Sequence, residues 1–191
     1  MKLIELFHLK PKDEHICVEE PMPPADALTT AFAILTGNDP EVADTLKRCL
    51  QDTDKFFSER GEILERRGLK YSEDARPWLC VIAAVEAGME KGYLSELNSD
   101  CAASEFSDAL QRVLVATGIV FSTEKLGFDT QTGLDARVRR FNEYAGQLGI
   151  TLYFVDLYGD SRVFGVAHIA DYAEAAEIAG YAGVRITSRP D

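Results

Sequence analysis

Four side chains near the carboxyl-terminal end have types suited to acid–base or metal-assisted chemistry: Asp156, Asp160, Ser161 and His168. Asp156 interrupts an otherwise apolar strand, where desolvation raises a carboxyl pKa unless a cation or a backbone donor answers it. Asp156 and Asp160 are therefore the candidate catalytic carboxylates, able to activate water or to ligate a hard cation such as Mg2+. A structural explanation competes with this one. An aspartate beside a tight turn commonly binds backbone amides, Asp160 is a favoured turn residue, and Ser161 next to it needs no chemical reason. Ser161 and His168 are candidate binding residues. They lie seven positions apart, roughly 23 Å along one extended strand at 3.3 Å per residue, so they cannot form a dyad within a single ribbon.

A second constellation is Arg76-Pro77-Trp78. An arginine at a helix start beside an indole could hold an anion or a partner's side chain, which makes Arg76 and Trp78 candidate binding residues; the ordinary alternative is a core tryptophan and a solvated arginine. Arg137, Arg139 and Arg140 point in different directions on a helix and read as a solvated face. No phosphate loop, dinucleotide glycine fingerprint, nucleophile elbow or His-Glu-x-x-His pair occurs, so neither a cofactor nor a resident metal is expected. The three histidines, His8, His15 and His168, offer few general bases or zinc ligands.

The elements that must position these residues follow from apolar periodicity. Leu28, Ala31, Phe32 and Leu35 mark a helix that Gly37 ends; Asp39 then caps a second helix with Pro40 in its first turn and Val42, Leu46, Cys49 and Leu50 as its stripe. Residues 54–67 read as one exposed helix stopped by Gly68. Residues 77–89 read as the central one, from which Glu86, Glu90 and Lys91 return the chain to solvent. Further helices are signalled by Phe106 to Thr117 and by Leu134 to Leu148, with a short strand at Ile119–Phe121 between them.

The period then changes. Thr151–Leu157 and Arg162–Ile169 are rich in β-branched and aromatic residues around Gly159-Asp160, which predicts a hairpin in which Asp156 faces Val163, Phe154 faces Gly165 and Leu152 faces Ala167. Asp171 and Glu174 have capping-box spacing ahead of an alanine-rich helix, and Val184–Thr187 reads as a last strand. Helices first and then a strand, strand, helix, strand unit predict an α+β fold: N-terminal and central helices packed with a small, mainly antiparallel sheet. One domain is expected over 1–191, with residues 1–23, including an extended stretch at Leu3–Leu9, as an arm.

Composition limits the partners. The 20 Lys and Arg against 32 Asp and Glu give a net charge of -12, a field that repels nucleic acid and serves solubility or the steering of a basic partner. Cys17, Cys49, Cys80 and Cys101 form no Cys-x-x-Cys pair and are expected as free thiols. Cys49 and Cys80 look like small core residues, whereas Cys17 and Cys101 lie in less regular segments that leave room for a reactive thiol, with no neighbouring cation to activate one. No export signal is readable in Met1–Lys10, and the longest apolar run, Trp78–Val85, is too short to cross a bilayer; a cytoplasmic location without membrane contact is the expectation.

Leu152–Ile186, with its Gly159-Asp160-Ser161 turn, and the segment from Trp78-Leu79-Cys80 to Gly92-Tyr93-Leu94 resemble a bacterial family catalogued as domain of unknown function 6630. The likeness spans about a third to a half of the chain. Family members tend to carry Asp-Ser-Tyr at the turn, where this chain has Asp160-Ser161-Arg162, and a Trp-containing acidic segment where this chain has Asn98-Ser99-Asp100-Cys101. The resemblance implies an α+β domain and brings no activity with it. Two functions are weighed: a non-catalytic interaction module of adaptor or immunity type with a protein partner, and a small hydrolase or transferase using Asp156 and Asp160. The sequence leaves the oligomeric state open.

Overall fold

Proline and aspartate punctuation sets the first helices in this computed structural model, which describes residues 22–71, 76–128, 132–157 and 161–189. Helix α1 (Pro24–Leu35) starts on Pro24 and buries Ala27, Leu28, Ala31, Phe32 and Leu35. The left-handed Gly37 and Asn38 then turn the chain. Asp39 caps α2 (Pro40–Gln51), its Oδ1 accepting from the amides of Glu41 at 2.9 Å and Val42 at 3.2 Å.

The exposed helix expected over 54–67 is two short helices, α3 (Thr53–Glu59) and α4 (Gly61–Arg66), broken at Arg60. Glycine at 61 removes the helix-forming side chain at that point, and Ile63 and Leu64 anchor the second piece in the core. Helix α5 (Arg76–Glu90) is the central one, and Leu79 to Val85 are all buried.

The remaining elements are strand β1 (Leu94–Asn98), α6 (Ala103–Thr117), α7 (Leu134–Gly146), β2 (Ile150–Val155), β3 (Ser161–His168), α8 (Ile169–Tyr181) and β4 (Ile186–Thr187), with a 3-10 turn at Thr123–Leu126. The four strands form one antiparallel sheet in the order β1-β3-β2-β4. The fold is α+β.

Three expectations are corrected here. The sheet's first strand is β1, and Ile119–Phe121 is not a strand but the exit from α6 after the left-handed Gly118. The hairpin register is one residue away from the expected one: Phe154 faces Phe164, Leu152 faces Val166 and Tyr153 faces Gly165. Residues 158–160, which carry the turn and Asp160, lie outside the described residues, as do 1–21 with most of the expected arm, the Leu3–Leu9 strand, His8, His15 and Cys17. Helix α8 begins two residues before Asp171, on His168, and the Asp171–Glu174 capping box does not form.

The register slip decides which side chains share a face. Tyr153, Val155, Val163 and Ala167 join Leu94 in a core with α1, α2, α5 and α8. Leu152, Phe154, Phe164 and Val166 join a second core with α6 and α7. The sheet is thus covered by helices on both faces, and every residue of β2 is buried. Among the described residues no helix is long and apolar enough to cross a membrane.

Candidate functional site

One face of α5 carries Trp78, Ile82, Glu86 and Met89 at helical spacing. This face walls a cleft of about 440 Å³ whose other walls are the end of α4, strand β1 and the start of β3. Burial of Ile63 and Leu64 fixes α4, so that Arg66 and Arg67 at its end reach into the cleft. On the sheet, Glu96 pairs with Val163 and Asn98 with Ser161, and opposed residues in an antiparallel ladder share a face, so Glu96, Asn98 and Ser161 line the same cleft. Leu157, just past β2, adds an apolar edge.

The polar side of the cleft is a chain of charge-assisted bonds. Glu86, only 3% exposed, accepts from Arg66 Nη2 at 2.7 Å and from Arg67 Nε at 2.8 Å. Arg67 also forks onto Glu96, Nη1 to Oε1 at 3.2 Å and Nη2 to Oε2 at 3.3 Å. The Ser161 hydroxyl donates to Glu96 Oε1. A guanidinium fork of this kind fixes both carboxylates in place and satisfies the lone pairs that burial leaves without water. Opposite this chain, the indole of Trp78 and the side chains of Ile82, Met89 and Leu157 are apolar. The cleft therefore presents a neutralised polar floor and a greasy wall, an arrangement that holds a ligand with an apolar body and a few polar atoms.

Of the residues singled out from sequence, the structure brings Trp78 and Ser161 together in this cleft. Arg76 is the first residue of α5, and its side chain lies outside the described residues. His168 is exposed at the opposite end of β3 from Ser161, where it precedes α8. Asp156 is half-buried beyond β2, its amide donating to Arg185 O at 3.0 Å, and it does not line the cleft; Asp160 lies outside the described residues. Among the described residues no three His, Cys, Asp or Glu side chains are grouped to hold a metal ion.

Two readings from periodicity are overturned. Glu86 does not return the chain to solvent but is buried in the cleft, because Arg66 and Arg67 meet it there. Arg137 is not on a solvated face either; it is 3% exposed and its Nη1 donates to Cys101 O at 2.7 Å, while Arg139 and Arg140 are exposed as expected. Arg66, Arg67, Glu86 and Glu96 were not singled out from sequence. The signal for Glu86 is that it is the one charge between Trp78 and Met89, within the most apolar helix of the chain, and such a charge needs a partner. No local signal marks Glu96 or the two arginines, whose roles come from tertiary placement.

No curated protein and no solved structure matches this chain. The model of one family, described as "Domain of unknown function (DUF6630)", matches residues 27–190, which take in every helix but the start of α1, all four strands and the whole cleft. The likeness seen at the hairpin and at the central helix thus extends over most of the sequence, and the chain belongs to the DUF6630 family.

Proposed function

We infer that this protein is a non-catalytic interaction module that receives a segment of a protein partner in the cleft between α5 and the sheet. The observation that carries this reading is the commitment of the polar groups: Glu86 and Glu96 are both held by guanidinium donors, and the Ser161 hydroxyl is spent on Glu96. A general base needs a lone pair aimed at substrate, and an activated serine needs a base to take its proton. The carboxylate beside Ser161 is Glu96, and both of its oxygens are already taken by the Arg67 fork, whereas an apolar wall with an indole is what a partner's anchoring side chain requires. The net charge of -12 supports a basic partner, steered to the cleft from a distance. The same reading places the protein in the cytoplasm, where buried Cys49, Cys80 and Cys101 are carried as thiols.

Leu69 rims the cleft and is 38% exposed, so Leu69→Asp alters the site with little burden on folding. The full tagged chain is used to capture partners from native cytosol at low and high salt. A protein partner recovered at low salt, reduced at high salt and lowered about tenfold by Leu69→Asp is the expected result, in line with loss of an interface anchor. Recovery of nothing at either salt, or recovery indifferent to Leu69→Asp, removes the reading.

A further inference from the structure

On the opposite side of α5 from the cleft, two thiols from different helices meet. Cys49 ends the buried stripe of α2, and Cys80 lies on a face of α5 that continues through Ala83, Ala84 and Ala87. These small residues let the two helices approach closely, and the Cys49 and Cys80 sulfurs are 3.6 Å apart. Thr53, at the start of α3, closes the third side: its hydroxyl donates to Cys49 O at 2.9 Å and sits 3.8 Å from Cys80 Sγ. The two residues are 31 positions apart in sequence, so only the fold brings them together.

We propose that Cys49 and Cys80 are a modification site, closing to a reversible intramolecular disulfide between α2 and α5 when the chain meets a peroxide. A disulfide needs the sulfurs at roughly 2.05 Å, so side-chain rotation and a small helix adjustment must close about 1.5 Å. The roles of the two sulfurs differ. Cys80 is the more accessible, 4% exposed against 0% for Cys49. The Cys49 thiol donates to it, which favours the thiolate at Cys80 over the opposition of burial; the same contact, with burial, keeps Cys49 protonated.

The Cys80 thiolate attacks one peroxide oxygen, the O–O bond breaks, and the departing hydroxide takes a proton to become water, leaving a sulfenic acid on Cys80. The Cys49 sulfur then attacks the Cys80 sulfur, the S–O bond breaks, and the hydroxyl leaves as a second water with the Cys49 proton. Two thiols lose two electrons and the peroxide gains them. In a reducing cytoplasm such a bond is transient and is reopened by thiol exchange. Cys101 is the built-in contrast. It lies in the other core, and burial pushes its thiol up against the opposing pull of Arg137.

The test treats the reduced full chain with hydrogen peroxide, quenches it with acid, alkylates the remaining thiols in denaturant, and maps unreduced peptides by mass spectrometry. The expected result is joint loss of alkylation at Cys49 and Cys80, and a linked peptide two hydrogens lighter than its parts that dithiothreitol separates. Cys101 should remain alkylated, and the preference should vanish when the oxidation is done on chain unfolded in urea. Cys49 and Cys80 remaining fully alkylated, linkage to Cys17 or Cys101 in equal amount, or the same pattern from unfolded chain would each overturn the proposal.

Discussion

Glu86 sits between two guanidinium groups of very different exposure: the Arg66 side chain is 59% exposed and that of Arg67 is 13% exposed. Removing the carboxylate leaves Arg67 with a buried, half-answered charge, and breaking a buried pair in this way costs about 3–5 kcal/mol. Removing Arg66 takes away a mostly solvated donor while Arg67 still holds Glu86, so the loss lies nearer the roughly 1 kcal/mol of an exposed pair than that of a buried one. Urea denaturation is expected to show Glu86→Ala far less stable than the parent and Arg66→Ala nearly unchanged; equal losses would mean that Arg67 does not anchor the site. Such charges are hard to place from sequence because helical periodicity assigns a face, not an environment. Glu86 and Glu90 both stand in the last turns of α5, yet one is buried and the other is a surface partner of Arg60. Arg137 repeats the lesson on α7, where periodicity alone put it in solvent. Trp78 and Ser161 were legible because an indole after a helix-opening proline and a hydroxyl beside a turn are unusual in themselves.

At the level of elements, most helices are legible because they have both a stripe and punctuation; α3 and α4, separated at Arg60, are the exception. Asp39 shows how the punctuation works. Partial burial pushes its carboxyl up, but the amides of Val42 and Glu41, the Tyr93 hydroxyl at 3.2 Å and the charge of Lys91 together hold it below its ordinary value of 3.8. A carboxyl depressed in the folded state adds stability that is present above the unfolded value and is lost as pH falls through the folded one. Asp39→Ala is therefore expected to cost about 1 kcal/mol at neutral pH. The gap between variant and parent in thermal or urea unfolding should narrow as pH drops below 3.8; a gap independent of pH would show that the ionised form has no part in the cap. The strands were less legible. Leu94-Ser95-Glu96-Leu97-Asn98 has no β-branched or aromatic residue and becomes a strand because β3 offers it an edge. The hairpin is legible in the sequence and its register is not, because the turn residues Gly159-Asp160 carry no information on how the two faces pack. Packing favours the observed register: Tyr153 lies across Gly165, where an added Cβ would overlap the phenol and come within 2.9 Å of Leu94 Cδ2. The other edge of β2 is closed by a side chain. Asn142 of α7 accepts from the Leu152 amide at 2.7 Å and donates to Leu152 O and Ser188 O, standing where β4 ends and a further strand residue would pair.

Across the whole molecule, the sheet is shared property. Alternate residues of β2 and β3 feed two helical layers, Tyr153 and Val155 one way, Leu152 and Phe154 the other, and neither core can lose its sheet face while the other keeps it. Such an arrangement couples the layers: melting of α6 and α7 uncovers Phe164 and Val166, which strips the strands that carry Glu96 and Ser161 into the cleft. Phe141 is fully buried in the layer remote from the cleft, and Trp78, the only tryptophan, reports on the layer that holds it. Phe141→Ala leaves a cavity and is expected to cost about 3–5 kcal/mol. If the sheet transmits that loss, urea unfolding of Phe141→Ala will remain a single transition, with Trp78 fluorescence and far-ultraviolet circular dichroism shifting to the same lower midpoint. A Trp78 midpoint that stays in place while the dichroism splits into two steps would mean that the layers fold separately. In that case the cleft rests on α4, α5 and two strands alone, and nothing on the α6–α7 side governs its geometry.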